Sequence, residues 1–536
     1  MTPRGRALVT LGSGTGVRVV GTVARARGFA RARDLAILGA LLAIAALLRL
    51  PGLAGRGTWD ADQGNDMATL QAFVTHGVVP LLGPPTSIGN VHHGALYYYL
   101  LAPAAIPAGG TDPTAVVLLM ALAGIAAVGV TWWLGRAMGG PVAGLVAGLL
   151  AATSATAVGG STFIWNPNLL PLAAALALAF GWRAWVTGNA RWWLAAGAAQ
   201  AVVQQAHILG IIALPAIAAL WLADLRRSPG RRRPIARWGL AGAALIALGY
   251  LPLLLHELGS GFDQARAALD YLRAGGDASG PDLALRLFFV PLRVVAWPLA
   301  GLATDAPAVA VAAVVTTGVL AGWRLAASRG AEATATRWLA GWVVSSTLLL
   351  TLFVASLATV TALPVDHYHA FVDPAVLALV GLGAAALWRR NPAGRGLAGR
   401  GLAVVGVAAL VAWNLGTQPP AVAVDGGWPA AREAGVRLAA ETRDAPTALL
   451  GVPPFKPVTT YSYPLALAGV TPVEVSAARR FVVVCDDTFR VVVGAECGGP
   501  AETAALERAS ITGSVLRDRF APAPGRTLSV YQRAAP

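Results

Sequence analysis

The chain has 536 residues, of which 56% are hydrophobic and 12% are charged. Soluble proteins carry about 25% charged residues, so this composition excludes an ordinary soluble protein and indicates a polytopic membrane protein. The formal net charge is +15. Nearly all of the basic residues are arginines, and they cluster in short segments between apolar runs, as membrane topology requires. Without a basic, aromatic-rich face, nucleic acid is excluded as a partner.

Residues 1–33 contain seven arginines and no acidic residue, and they predict a disordered, basic cytoplasmic tail. The apolar run that follows has the pattern of a cleaved signal peptide, but we favour a retained anchor because further spans follow. Eleven runs in all predict about eleven transmembrane helices within residues 34–416, several of them near the minimum length for a span. The runs are 35–50, 115–134, 142–158, 169–186, 192–205, 208–223, 238–255, 306–323, 338–360, 370–388 and 402–415.

The arginines test this count, because cytoplasmic loops carry an excess of positive charge. With the tail inside, every inner loop contains arginine, whereas three outer loops contain no lysine or arginine. The loop 256–293 is mixed, with four arginines and five acids. Within it, 281–295 has the pattern of a helix lying at the membrane interface, although an ordinary approach to the next span would look the same.

The composition changes after residue 416. Residues 417–429 form a polar linker rich in proline and glycine, and 430–536 predict a small soluble α/β domain. Its elements are an amphipathic stretch at 430–442 and strand-like runs at 481–485, 490–493 and 527–531. An odd number of spans places this domain outside the cytoplasm. Cys485 and Cys497 could then form a disulfide, and two unpaired thiols are the alternative.

The unusual polar residues gather on the outer side of this topology. The first outer loop, 51–112, contains Asp60, Asp62, Asp66, His92, His93 and the run Tyr97–Tyr99. The later outer loops contribute Asn166, Asn168, Gln204, Gln205, His207, Asp366, His367, Tyr368 and His369. Each residue alone is more often structural than functional, but their convergence on one leaflet from distant segments indicates a site.

Carboxylates at a membrane surface can act as a general base or hold a divalent cation against a phosphate. Imidazole and amide groups can bind phosphate oxygens and sugar hydroxyls. In an extended segment, Asp60 and Asp62 would point to the same side. In a helix, Asp62 and Asp66 would share a face instead, and the sequence leaves both geometries open.

The loop resembles the first extracytoplasmic loop of GT-C glycosyltransferases of the protein O-mannosyltransferase and lipid A aminoarabinose transferase (PMT/ArnT-like) type. Members have an acidic DE or DQ pair, then a Gly/Pro stretch, then a motif of the form [KH]-x-P-L-x-Y. The corresponding segments here are Asp62-Gln63, Gly83-Pro84-Pro85 and 92–97, HHGALY. WNPNLLP at 165–171, QxH at 205–207 and HYH at 367–369 also resemble segments of these glycosyltransferases. The resemblance covers residues 35–416.

The resemblance implies an all-α polytopic GT-C membrane protein with an extracytoplasmic C-terminal α/β domain, held in the plasma (inner) membrane. It implies an inverting transfer of sugar from a polyprenyl-phosphate donor on the extracytoplasmic face. The base maps best onto Asp62, with Asp60 second. The predicted substrate-binding residues are His92, His93, Tyr97, Asn166, Asn168, Gln205, His207, His367, Tyr368 and His369.

The acceptor stays open between protein, lipid and cell-envelope glycan. Gln63 replaces the usual second acid, which weakens metal binding through the pair, so that a divalent cation is an open question. The main alternative is a transporter or a flippase of lipid-linked glycans. Such a protein would have ionisable groups near the membrane midplane or repeated broken helices, and the spans here are nearly free of charge at their centres.

Overall fold

The computed structural model describes residues 15–86, 91–274, 281–354, 368–389, 396–454, 457–487, 490 and 496–533, with side chains from residue 31 onward. Eighteen helices, α1 to α18, form the membrane part: Thr15–Arg49, Leu53–Arg56, Ala61–His76, Leu96–Ala105, Thr114–Gly139, Pro141–Thr153, Ala155–Gly159, Leu170–Thr187, Trp192–Ala206, Leu214–Arg227, Arg232–Gly249, Leu251–Ser260, Asp263–Arg273, Leu283–Ala300, Pro307–Ala327, Gly330–Phe353, Asp373–Arg389 and Gly396–Gly416.

The C-terminal part contains α19 (Gly427–Thr442), β1 (Thr447–Val452), α20 (Thr459–Leu467), β2 (Arg480–Asp486), α21 (Pro500–Arg508), β3 (Ser514–Ala523) and β4 (Arg526–Arg533). The four strands form one sheet in the order β1-β2-β4-β3. β1 and β2 are parallel, and the other two pairs are antiparallel. The predicted α/β domain is therefore present, although β1 and β3 were not predicted, because their short or charge-interrupted runs lack strict alternation.

Contacts between helix ends define two ends of the bundle. At one end, Arg136 forms an ion pair with Asp34 (2.5 Å), and Glu332 forms ion pairs with Arg324 (2.7 Å) and Arg389 (2.6 Å). We call this the arginine end. The opposite end carries α3 and the C-terminal domain, and we call it the site end. The ion pairs join Asp34, which precedes the apolar part of α1, to the end of α5, and they join the ends of α15 and α17 to the start of α16, as the predicted alternation of the spans requires.

Eight helices within the described ranges are long and apolar enough to cross a membrane, or nine if a pair bent by 41° counts as one span. The expected number was eleven. Seven of the eleven predicted runs match these helices, and the eighth helix, Leu283–Ala300, was not predicted as a span. The other four runs do not qualify: α6 and α9 have 13 and 15 residues, α1 carries charges on both sides of its apolar run, and 238–255 is divided between the bent helices α11 and α12. The eight helices are Thr114–Gly139, Asn166–Thr187, Ile208–Arg227, Leu283–Ala300, Pro307–Ala327, Gly330–Phe353, Ala370–Arg389 and Leu397–Gly416.

One of the eight, α14, has both of its ends at the site end. Near its start, Arg286 Nη1 donates to the carbonyl of Leu352, where α16 finishes. Near its finish, Leu299 O accepts from Asn414 Nδ2 at 2.7 Å, close to the last residue of α18. A helix that touches the same end of the bundle at both termini does not cross, which agrees with the predicted interfacial helix at 281–295.

The prediction of a disordered tail over residues 1–33 was wrong for its second half. Helix α1 begins at Thr15 and continues without a break to Arg49. Alanine and arginine have high helix propensity, and adding residues to an existing helix costs far less than starting one. The apolar span that follows therefore nucleates a helix that extends back through the basic segment.

Cys485 and Cys497 are joined in a disulfide. Cys485 lies at the end of β2 and is buried in a small apolar cluster with Phe481 and Val483. The disulfide ties the segment before α21 to the central strand of the sheet.

We predict that Cys497→Ser lowers the free energy of unfolding of the C-terminal domain by about 2–4 kcal/mol, because a short closed loop no longer restricts the unfolded chain. The measurement is thermal or denaturant unfolding of the purified protein, followed by tryptophan fluorescence. Wild type in reductant should match the variant in its absence. Equal stability of the variant and oxidised wild type would contradict a structural role for the disulfide.

Candidate active site

Helix α3 presents the first-loop carboxylates, and its N-terminus explains their arrangement. Asp60 is the N-cap, in extended backbone, and its Oδ1 accepts from Ala61 N at 2.8 Å. Gln63 closes the capping box, since its Oε1 accepts from Asp60 N at 2.8 Å. The helix therefore begins between the two acids, so that Asp60 lies outside it and Asp62 lies in its first turn. Asp62 is exposed at that position.

Gln63 uses both ends of its amide. While Oε1 caps the helix, Nε2 donates to the carbonyl of Ile164 at 2.7 Å. A glutamate at this position could accept the first hydrogen bond but could not donate the second when ionised. Gln63 therefore connects the start of α3 to the segment that precedes Asn166.

Asp66 lies one turn after Asp62 and is almost fully buried. Its two carboxyl oxygens accept from the hydroxyls of Tyr97 and Tyr98, each at 2.8 Å. Tyr97, predicted to bind substrate, is thus engaged with a buried carboxyl group. Burial raises the pKa of Asp66 to about 8, and the two tyrosine hydroxyls oppose this effect only in part. At neutral pH this carboxyl group is largely protonated.

Residues 83–86 and 91–94 pair as antiparallel segments, called here the histidine hairpin, and they present two neighbouring histidines to different partners. Its backbone bonds include His93 N to Pro84 O at 2.9 Å and Gly83 N to His93 O at 3.0 Å. The backbone N–H of His92 donates to Gln264 Oε1 at 3.0 Å, and His92 Nδ1 lies 3.0 Å from the same oxygen. His93 is buried, and burial lowers the pKa of its imidazole to about 3. His93 is therefore neutral at physiological pH and cannot act as a cationic phosphate ligand.

Four aromatic side chains lie in a row at the site end, and the row begins at His93 of the histidine hairpin. His93 lies 4.5 Å from His207, His207 lies 4.7 Å from Tyr368, and Tyr368 lies 5.6 Å from Trp165, measured between ring centroids. His93 Nδ1 accepts from the backbone of Ile208 at 3.2 Å. The structure thus brings together residues from four segments that the sequence placed in one predicted site.

The predicted amide residues surround this row. Asn166 Nδ2 donates to Ala206 O at 2.6 Å, and Asn168 Nδ2 donates to Phe163 O at 2.9 Å. These bonds hold local backbone and occupy the amide nitrogens. Gln205 is buried, and neither of its side-chain polar atoms has a hydrogen-bond partner among the described residues. A Cβ on Gly94 would lie 1.8 Å from Gln205 Oε1, so only glycine allows this close approach.

Two predicted residues stand apart from the row, and one is not described. The ring of His369 is buried and packs edge-on against Trp297 at 5.8 Å. Asp60 faces the C-terminal domain, where Thr460 Oγ1 donates to its Oδ1 at 3.1 Å. His367 lies outside the described residues.

Part of the chain is similar to a known protein family. The family model described as dolichyl-phosphate-mannose-protein mannosyltransferase matches residues 92–256, which include the histidine hairpin and the ring row as far as His207. No curated protein matches the chain.

Solved structures share the fold over nearly the whole chain. ArnT from Cupriavidus metallidurans bound to undecaprenyl phosphate matches with a TM-score of 0.56 and 14% identity, covering 92% of this chain and 97% of ArnT. The archaeal oligosaccharyltransferase AglB from Archaeoglobus fulgidus, in complex with an inhibitory peptide and a dolichol-phosphate, matches with a TM-score of 0.50 and 15% identity, covering 94% of this chain and 75% of AglB. The chain therefore has the fold of these GT-C glycosyltransferases.

The C-terminal sheet is docked directly onto the start of α3. Arg526, the first residue of β4, is buried and lies within 4 Å of three carboxylates: Asp60 (3.4 Å), Asp425 (3.4 Å) and Asp486 (3.7 Å). Its Nη1 also donates to Trp59 O at 2.6 Å. One guanidinium therefore joins the sheet, the linker and the residues immediately before α3.

Apolar and hydroxyl contacts complete the docking surface. Trp59 packs against Trp428 at 4.4 Å and donates from Nε1 to Thr460 O at 2.9 Å. Thr459 Oγ1 donates to Ala61 O at 2.8 Å. Arg526, Asp425 and these threonines were absent from the predicted site, because no sequence signal pairs residues about 400 positions apart.

Among the described residues, the group with metal-ligand geometry is His256, Glu257 and Asp263. Each of the three already has a partner in this structure. His256 Nε2 lies 3.0 Å from Asp263 Oδ1, and Glu257 accepts from the backbone N–H groups of Gln264 and Ala265. These contacts cap the start of α13, which accounts for the cluster without a metal.

We predict that Arg526→Met weakens the attachment of the C-terminal domain by about 3–5 kcal/mol, because it leaves buried carboxylates without their cation. The measurement is thermal unfolding together with limited proteolysis in the linker 417–429. Arg437→Met is the matched control, since Arg437 pairs with Asp518 at 2.9 Å with half of its side chain exposed, and such pairs contribute about 0–1 kcal/mol. Equal effects of the two variants would reject a central role for Arg526.

We predict that Asp66 makes stability fall as the pH rises from about 4 to 8. In this window the unfolded chain has released the proton and the folded protein retains it, so stability decreases by roughly 1 kcal/mol per pH unit. Asp66→Asn should reduce the difference in melting temperature between pH 5 and pH 8, whereas the exposed Asp112→Asn should preserve it. An unchanged pH dependence in Asp66→Asn would show that Asp66 is ionised in the folded state.

Proposed function

We propose that this protein transfers a sugar from a polyprenyl-phosphate donor to an acceptor hydroxyl, with inversion, and that Asp62 is the general base. The proposal rests on one observation, which is that the three first-loop carboxylates differ in their contacts and in their exposure to solvent. Asp60 caps α3 and faces Arg526, and Asp66 is buried between two tyrosines. Asp62 is the one exposed to solvent, where a base must meet an acceptor.

The position of Asp62 supports this role. The neighbouring Gln63 is bonded to Ile164, next to Trp165, which begins the ring row of Tyr368, His207 and His93. A carboxylate and an aromatic, amide-rich surface are thus held at the same end of the bundle by direct hydrogen bonds. Aromatic faces and amides suit the apolar faces and hydroxyls of a sugar.

Transfer with inversion needs few groups from the protein. Asp62 accepts the proton of the acceptor hydroxyl as its oxygen bonds to the anomeric carbon. The bond from that carbon to the phosphate oxygen breaks on the opposite face, and the polyprenyl phosphate leaves with the electron pair. Such general base catalysis contributes about 10²–10⁴-fold to a rate.

The donor class is supported by the comparisons, since ArnT was solved with undecaprenyl phosphate and AglB with a dolichol-phosphate. An extracytoplasmic site is supported by two independent features. The arginine end of the bundle fits the cytoplasmic side by the positive-inside rule. The disulfide between Cys485 and Cys497 belongs to an oxidising compartment.

We predict that Asp62→Asn lowers the rate of sugar transfer by about 10²–10⁴-fold. The measurement is transfer from radiolabelled polyprenyl-phosphate sugars in membranes that contain equal amounts of each protein. The matched control is Asp112→Asn, which removes an exposed carboxylate elsewhere in the first loop. Undiminished transfer by a well-expressed Asp62→Asn protein would reject the assignment.

A further inference from the structure

A groove of about 380 Å³ lies between α10 and α16, and the end of α8 forms one side of it. None of its lining residues belongs to the candidate active site. Its floor consists of Ala216, Leu220 and Trp338, which are buried. Trp338 Nε1 donates to Ala216 O at 2.9 Å, so the floor itself joins the two helices.

The groove is open on the side that faces the membrane. Pro215, Ala219 and Gly341 line it, and all three are exposed within apolar spans. A Cβ on Gly341 meets no atom within 4 Å, so this position faces open space. Because the bilayer core contains no water, a lipid chain must fill this space.

The length of the groove matches one leaflet. Its lining on α16 runs from Thr334, close to the arginine end, to Ser345. At 1.5 Å per residue this stretch is roughly 16 Å long, about half of the hydrocarbon core of about 30 Å. The groove therefore fits one acyl chain of the leaflet at the arginine end, and it is too short for a long isoprenoid chain.

Positive charge that the protein does not neutralise lies at the mouth of the groove. Arg337 lines the groove, is exposed, and has no ion pair among the described residues. The nearby carboxylates are already engaged, since Glu332 pairs with two other arginines and Asp224 pairs with Arg227. An anion at the mouth would therefore meet a cation and no competing carboxylate.

The opposite wall has the composition of a membrane interface. Trp185 lines the groove at the end of α8, and the Arg227 guanidinium lies 3.2 Å from the centroid of its ring. Arg226 and Arg227 follow Ala223, another lining residue, by one helical turn. Tryptophan is enriched at membrane–water interfaces, and arginine at their cytoplasmic side. The mouth of the groove thus lies at the level of the lipid headgroups.

We propose that this groove binds an anionic glycerophospholipid of the phosphatidylglycerol class, with one acyl chain between α10 and α16 and the phosphodiester at Arg337. Guanidinium suits phosphate oxygens, and basic pockets between membrane helices bind anionic headgroups. A zwitterionic lipid would bring an ammonium group that the arginines at the mouth repel. The inference does not depend on the proposed reaction, because the groove lies at the end of the bundle opposite to Asp62.

The two helices of the groove lead to the ring row at the site end. The span that contains α10 begins at Ile208, directly after His207. On α16, Trp342 Nε1 donates at 3.2 Å to the carbonyl of Phe371, which closely follows Tyr368. A lipid that holds α10 and α16 together would therefore steady the segments that carry His207 and Tyr368.

The test measures lipid binding by native mass spectrometry of the full-length protein in detergent, titrated with phosphatidylglycerol or with phosphatidylethanolamine of the same chains. Wild type should bind the first phosphatidylglycerol about fivefold more tightly, because one arginine near the membrane surface favours an anionic lipid by that factor. Phosphatidylglycerol should also raise the melting temperature of wild type more than phosphatidylethanolamine does.

Two arginines provide a matched pair for the charged part. Arg329 is exposed at the same end, directly before α16, but does not line the groove. Arg337→Gln should lose the preference for phosphatidylglycerol, whereas Arg329→Gln and Arg337→Lys should retain it. Binding of phosphatidylethanolamine should be the same in all three variants.

Two glycines provide a matched pair for the apolar part. A Cβ on Gly341 or on Gly318 meets no atom within 4 Å, so both positions accept a larger side chain. Gly318 is exposed on α15 and does not line the groove. Gly341→Leu should weaken binding of both phospholipids, because the new side chain occupies the space of the acyl chain, and Gly318→Leu should leave binding unchanged.

Equal affinity of wild type for the two phospholipids would overturn the proposal, because the groove would then hold ordinary bilayer lipid. Equal losses in Arg337→Gln and Arg329→Gln would overturn it too, since the preference would then come from the total charge of this end. The wild-type comparison requires no variant to fold, and no assay requires turnover. Loss of sugar transfer in Asp62→Asn with the expected lipid preference would leave both proposals standing, whereas unchanged transfer in that variant would reject the base alone.

Discussion

The cage of carboxylates around Arg526 is the contact on which the candidate site depends. Arg526 joins the residues that enter α3 to β4, to the linker and to β2 at once. A buried cation is stable only when it is paired and hydrogen-bonded, so the four charged groups must assemble together. The C-terminal domain is therefore a structural part of the site and supports α3, rather than a module attached by a flexible linker.

This dependence explains why neighbouring acids in one short segment behave differently. The capping box fixes where α3 begins, and that single boundary turns Asp60 toward the sheet, Asp62 toward solvent and Asp66 toward the tyrosines. The start of the helix thus gives these acids different surroundings.

Much of the membrane architecture could be predicted from the sequence, because hydropathy and the placement of arginines are local properties. The convergence of His93, His207 and Tyr368 also followed from topology alone. The partners of Asp60 could not be predicted in this way, since Arg526 approaches from the other end of the chain. Nor could the protonated state of Asp66, because the sequence does not show how completely α4 covers it.

The structure also shows what Gln63 does at the position where similar proteins have the second acid of a pair. As the second member of an acidic pair, it looked like a lost metal ligand. In the structure it is the residue that binds α3 to the segment before Trp165, through a donor that an ionised acid lacks. A carboxylate there would leave the carbonyl of Ile164 without its partner and would add a second negative charge beside Asp62. Gln63 therefore holds α3, which carries the proposed base Asp62, at a fixed distance from the aromatic row that begins at Trp165.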